Sequence, residues 1–198
     1  MRPANPELQN QIVQKTLELL LDKDPESLGM REIAAACNVT APTIYHYFKD
    51  KTNLFKEVSL FCLQQLKNFM TGYIEKESGF TQKSIAALKG FRDWCFKNPK
   101  ISFLIMGKIK VSDNATYKDG EPYYSCFNLG EQQLPQCTIN EKKISENPAL
   151  DTGIIVSGLW GCIEQTLLKR TAPEFWNKGT EFSDHYIKMV EKAYFSKN

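Results

Sequence analysis

Apolar residues recur at helical spacing along most of the chain. Leu8, Ile12, Thr16 and Leu19 or Leu20, with Gln, Glu and Lys between them, predict a first helix over 6–22. Pro6 suits its first turn. Asp24-Pro25 stops it, because a residue before proline is pushed out of the α region. Met30, Ile33, Ala34 and Cys37 stand at i, i+3, i+4 and i+7 and predict a second helix over 30–37, with Gly29 as a tolerable N-cap. Asn38 accepts a left-handed backbone, so a sharp turn belongs there, anchored by Val39. Thr40 reads as the N-cap of a third helix, 41–48, with Pro42 in its first turn and Ile44 and Phe48 facing inward. Asp50 caps a long fourth helix, 51–76, whose stripe is Leu54, Val58, Phe61, Cys62, Leu66, Phe69 and Tyr73.

Further helices are predicted over 81–97, 100–111, 122–136, 148–170 and 174–195. Asn98-Pro99 ends the first of these. The stretch 112–121, SDNATYKDGE, reads as a polar loop, and 137–147 is ambiguous. No segment shows convincing period-two alternation, and no internal repeat or low-complexity tract is present. The predicted fold is therefore all-α, with an N-terminal three-helix domain over 1–50 and a C-terminal helical domain over 51–198.

Composition narrows the function. Of 198 residues, 42% are hydrophobic and 12% aromatic, which suits a globular chain and not a disordered one. Twenty-five Lys and Arg against 23 Asp and Glu give a net charge of +2, so nucleic-acid binding requires a local patch. No apolar run approaches the roughly 20 residues of a membrane helix, and the N-terminus lacks the apolar stretch of a signal peptide. A cytoplasmic location is expected. The six cysteines, at 37, 62, 95, 126, 137 and 162, contain no C-x-x-C pair. With His46 and His185 the only histidines, a zinc cluster is not expected, and buried reduced thiols are. No catalytic triad, metal cluster or Gly-rich phosphate loop stands out, so we expect neither an enzyme nor a cofactor.

Two short helices joined by a tight turn, the second opened by Thr-x-Pro, make a helix-turn-helix. Residues 28–54 read LGMREIAAACNVTAPTIYHYFKDKTNL. The run at 31–34, Asn38-Val39-Thr40 at the turn, and Thr43-Ile44-Tyr45-His46-Tyr47-Phe48 followed by Lys51 and Leu54 resemble the TetR family of bacterial transcriptional regulators. The resemblance covers about residues 8–60. In a helix-turn-helix the first residues of the second helix enter the DNA major groove. Ala41 and Pro42 are then placed to pack on a thymine methyl, and Thr43 to reach a base edge or phosphate. Thr40 offers a hydroxyl at a helix N-terminus. The resemblance implies phosphate contacts from Tyr45, His46, Tyr47 and Lys51, and a base or phosphate contact from Arg31. It also implies a homodimer on a palindromic DNA operator, repressing until an effector releases it through a pivot of helix 51–76.

Three features depart from the family pattern. Asn38 stands where glycine is usual. Leu28 and Gly29 replace a Thr/Ser pair. Residues 1–51 carry six basic side chains against seven acidic, a net of −1, so the acids at 18, 22, 24 and 26 must face away from DNA.

The C-terminal region carries no motif that names a ligand. Its dense aromatics suggest a cavity among helices 51–76, 81–97, 100–111, 122–136 and 148–170, with Gln65, Phe69, Trp94, Phe103, Met106, Tyr124, Phe127 and Gln165 as candidate ligand contacts. A mostly apolar or aromatic effector is expected, since Arg92 sits beside the Phe91–Trp94 stripe and offers no anion clamp. Helix 148–170 is apolar nearly all round. Its ridge of Gly153, Ser157, Gly158 and Gly161 lets another helix approach, and together with helix 174–195 it suggests a four-helix bundle across a two-fold axis. The alternative reading is a DNA-anchored protein-interaction module without a small-molecule effector.

Overall fold

A computed structural model describes residues 5–108, 124–133, 136–139, 142–143 and 145–195. The helices are α1 (Pro6–Leu20), α2 (Met30–Ala36), α3 (Ala41–Tyr47), α4 (Lys51–Ile74), α5 (Phe80–Lys97), α6 (Pro99–Phe103), α7 (Ser125–Gln133), α8 (Pro148–Leu168), α9 (Pro173–Trp176) and α10 (Glu181–Val190). Single π-helical turns follow α6, at Leu104–Lys108, and α10, at Glu191–Phe195. The fold is all-α. Inside the ambiguous segment, Thr138–Ile139 and Lys142–Lys143 pair as two short antiparallel strands, too short for their alternation to show in sequence. The predicted loop 112–121 lies outside the described residues.

The chain divides into two compact units. One comprises the described residues up to Gln64 together with 100–108; the other comprises 65–99 and the described residues from Tyr124 onward. The boundary falls within α4.

The described residues of the first unit build a hydrophobic core. Ile12, Leu28, Ile33, Ile44, Leu54 and Val58 are fully buried in it, and Leu104 joins them from the π turn, with Ile101 and Ile105 packed alongside. The 100–108 segment thus sits on the core formed with α1 and α4.

In the second unit α8 packs on α5, α7 and α10. Gly90 lets α5 approach α4 closely: a Cβ there would lie 3.1 Å from the Met70 Cα and 3.2 Å from the Tyr73 ring. Arg92, expected beside the apolar stripe, is itself buried. Its guanidinium binds Asp93 (2.8 Å) and Asp184 of α10. The Tyr73 hydroxyl donates to Asp93 (2.7 Å), and the Thr180 hydroxyl to Asp184 (2.7 Å). The network therefore joins α4, α5 and α10.

One prediction about the last helices needs correction. The helix expected over 174–195 is broken: α9 ends at Trp176, and Gly179, at φ +61°, turns the chain before α10. Glycine adopts that backbone without steric cost. The small-residue ridge of α8 also serves more than one purpose. A Cβ on Gly158 would lie 2.3 Å from the Tyr186 hydroxyl oxygen, so this position is filled by α10 of the same chain. The Tyr186 O–H donates to the Ile155 carbonyl at 3.0 Å.

Candidate nucleic-acid interface

Local signals build the helix-turn-helix. Gly29 starts α2 from extended backbone (φ −99°, ψ 151°). Asn38 takes φ +55°, the left-handed conformation anticipated for the turn. The Val39 N–H then donates to the Ala34 carbonyl at 3.0 Å, closing the end of α2. Thr40 caps α3: its Oγ1 accepts from the Thr43 N–H (3.4 Å) and lies 2.8 Å from the Thr43 hydroxyl. Asp50 Oδ1 accepts from the Asn53 N–H at 2.7 Å and starts α4.

The predicted contact residues separate by exposure. Arg31, Thr40, Pro42 and His46 are exposed, and so is Tyr45, at 53%. Ala41, Thr43, Tyr47 and Lys51 are half-buried. Tyr47 has a structural duty, since its hydroxyl oxygen accepts from the Asn5 N–H at 3.1 Å and ties α3 to the start of α1. Asn5 in turn caps α1, accepting from the Glu7 N–H. Lys51 donates to the Glu26 carbonyl (3.1 Å) and lies over the Phe55 ring, so it holds the segment before α2 against α4.

Neighbouring lysines meet several of the acids in this unit. Glu18 pairs with Lys15 (2.6 Å) and Asp22 with Lys100 (2.9 Å). Asp24 pairs with Lys108, and Glu32 with Lys23. The Glu32 carboxyl is held below its ordinary value chiefly by the hydrogen bond from Lys23. These pairs are solvent-exposed, where such pairs contribute little to stability, but they offset local negative charge. Sequence reasoning missed Lys100 and Lys108 because their partners lie about 80 residues upstream.

The residues proposed to line a ligand cavity fall in both units. Phe103, half-buried, and Met106, 37% exposed, belong to the first. Gln65, Phe69, Trp94, Tyr124, Phe127 and Gln165 belong to the second. Trp94 is buried at 4% exposure, Gln65 is exposed and the other four are half-buried. Among the described residues of the second unit, one open surface hollow lies beside Phe175, Phe182 and His185, and another beside Tyr73, Thr81 and Lys89. Neither is lined by these candidates.

Among the described residues no group of His, Cys, Asp and Glu is placed to hold a metal ion, and no helix is long and apolar enough to cross a membrane. The six cysteines form no disulfide. Burial pushes the Cys62 thiol up to about 12 and the Cys126 thiol to about 11, which suppresses the reactive thiolate.

Residues 12–58 match the family model described as bacterial regulatory proteins, tetR family. No curated protein sequence matches the chain. Among solved structures, a tetR-family transcriptional regulator from Streptomyces coelicolor is similar in fold at 17% identity and TM-score 0.65, covering 97% of this chain and 85% of that one. The transcriptional regulator FadR from Bacillus subtilis, solved with stearoyl-CoA, is similar at 15% identity and TM-score 0.65, over 95% of this chain and 98% of its own. AibR, solved with isovaleryl coenzyme A and operator DNA, is similar at 14% identity and TM-score 0.61, over 94% and 98%.

Proposed function

We propose that this chain, whose residues 12–58 match the model of tetR-family bacterial regulatory proteins and whose fold is similar to that of a tetR-family regulator, is a sequence-specific DNA-binding transcriptional regulator. The observation that carries this reading is the helix-turn-helix itself. Asn38 at φ +55° and the Thr40 cap set α3 on the α1–α2 core with Pro42, Tyr45 and His46 outward. Residues 1–50 with the start of α4 are its DNA-binding portion. Thr40, Tyr45, His46, Tyr47 and Lys51 supply backbone contacts, Arg31 contacts a base or phosphate, Ala41 and Pro42 meet the bases, and Thr43 reaches a base edge or phosphate.

We take it to work as a homodimer on a palindromic operator. Leu150, Ile154 and Leu168 of α8 are exposed at 58%, 57% and 37%, and Ser157 and Gly161 stand at the helical positions between them. Such a face in water is unfavourable, and a second copy of the chain covers it. A small, mostly apolar effector in the second unit releases the protein from DNA, which makes it a repressor. Two structures of similar fold were solved with acyl-coenzyme A molecules. Only the acyl part of such a molecule, and not its charged coenzyme A part, is of the apolar kind proposed here. The buried Arg92 is committed to Asp93 and Asp184, so it is not available to a phosphate or carboxylate.

Selection of random duplexes with the full chain, followed by footprinting, tests the central claim. We expect a palindrome with half-site centres roughly 34–36 Å apart or somewhat more. Lys51→Ala should weaken all sequences alike and lower the salt slope by about one. Binding with no sequence preference, or a monomer at micromolar concentration by ultracentrifugation, contradicts the reading.

A further inference from the structure

The sequence of α3 is APTIYHY, a narrow chemistry for reading bases. Its side chains divide clearly. Ile44 is fully buried, and Tyr47 is half-buried with its hydroxyl holding the Asn5 N–H. The Thr43 hydroxyl lies 2.8 Å from that of Thr40, and one of the two donates to the other. The O–H left over satisfies any phosphate or base acceptor, so it carries little base choice. Pro42, Tyr45 and His46 remain exposed, with Ala41 half-buried beside Pro42.

The major groove presents a fixed code. Arg or Lys spans guanine O6 and N7, Asn or Gln spans adenine N6 and N7, and Asp or Glu accepts from the cytosine amino group. Apolar groups meet the thymine methyl. Helix α3 contains none of the first three kinds of reader. In a helix-turn-helix the first residues of the second helix meet the base edges. Here those are Ala41 and Pro42.

Resting on the DNA-binding reading above, we infer that each operator half-site is read at the α3 contact through thymine methyl groups, which pack on the Pro42 ring and the Ala41 methyl. Affinity there comes from apolar contact with the C5-methyl and not from hydrogen bonds to guanine. A buried methyl is worth about 0.8 kcal/mol, or about fourfold in affinity. The two half-sites of a palindrome together give about fifteenfold.

The test uses base analogues in the sequence selected by the full chain. Deoxyuridine in place of a thymine removes only the methyl, and 7-deazaguanine removes only the guanine N7 acceptor. We expect uracil at one position of one half-site to weaken binding about fourfold, and at that position in both half-sites about fifteenfold, with the loss shrinking in Pro42→Ala. Alanine is compatible with the first turn of a helix, and circular dichroism confirms folding. Pro42→Ser serves if the first variant does not fold. A uracil penalty that persists undiminished in a folded variant overturns the assignment to Pro42. Indifference to uracil throughout the half-site, with a tenfold or greater loss from 7-deazaguanine, overturns methyl reading and leaves the regulator reading intact. A chain that binds no duplex overturns both.

Discussion

The two units reach stable helices by different means. In the first, the caps and the turn of the helix-turn-helix are set by residues close in sequence, although Tyr47 and Lys51 also reach distant backbone: Asn5 bonds Glu7, Thr40 bonds Thr43, Asp50 bonds Asn53, and Asn38 supplies the left-handed turn. The second also has local contacts, such as the Asn147 cap on the Leu150 N–H, but the polar contacts that join its helices to one another span long separations. Tyr73 and Asp93 are 20 residues apart, Tyr186 and Ile155 are 31 apart, and Arg92 and Asp184 are 92 apart. Damage to the first unit should therefore come in small local steps. Damage to the second should come from single residues that join several helices.

The largest effect should follow Arg92→Ala. The change leaves Asp93 and Asp184 without the cation they share. Breaking a fully buried pair costs about 3–5 kcal/mol; the partial exposure of both carboxylates lowers the expected loss to about 2–3 kcal/mol. Urea unfolding measures it. Hydrogen exchange should speed in α5 and α10 and not in α1–α3, and equal loss of protection in both regions would end the contrast.

Next in size is Gly158→Leu. Tyr186 already occupies the space, so overpacking should cost about 1–3 kcal/mol. Thermal unfolding of the variant at several protein concentrations separates this intrachain effect from loss of a dimer. A melting temperature lowered by the same amount at every concentration marks disruption between α8 and α10.

Smaller changes are expected in the helix-turn-helix. Asn38→Ala should cost about 1 kcal/mol, because alanine resists φ +55°, whereas Asn38→Gly should be nearly neutral. Thr40→Ala should cost about 1 kcal/mol by removing the α3 cap. Chemical denaturation reads both, and a loss above about 3 kcal/mol from either would show that the turn is more than a local device.

The smallest effect concerns pH. Burial alone raises the Asp93 carboxyl, but hydrogen bonds from Arg92 and Tyr73 and the nearby charges of Arg92 and Lys97 outweigh it, so it sits below its ordinary value. A depressed carboxylate stabilises the fold above its unfolded value of about 4 and ceases to do so as pH falls through the folded value. Asp93→Asn should flatten the acid side of a melting-temperature curve below about pH 4. An unchanged slope would remove Asp93 from the linkage.

The sequence by itself determined the all-α fold, the helix-turn-helix and the positions of its caps and turn. These rest on backbone preferences of single residues such as Asn38, Thr40 and Pro42, acting within one helical turn. Tertiary structure decided the rest, because side-chain spacing along one helix does not reveal which distant residue arrives opposite it. Arg92 looked like a residue beside an apolar stripe and became a buried cation held by two partly exposed carboxylates once α10 supplied Asp184. Gly158 looked like part of a face for a second chain and is filled by Tyr186 of its own. The acids at 22 and 24 looked like an obstacle to DNA and are met by Lys100 and Lys108. In each case the deciding partner is fixed by chain folding over tens of residues, a distance across which periodicity carries no information.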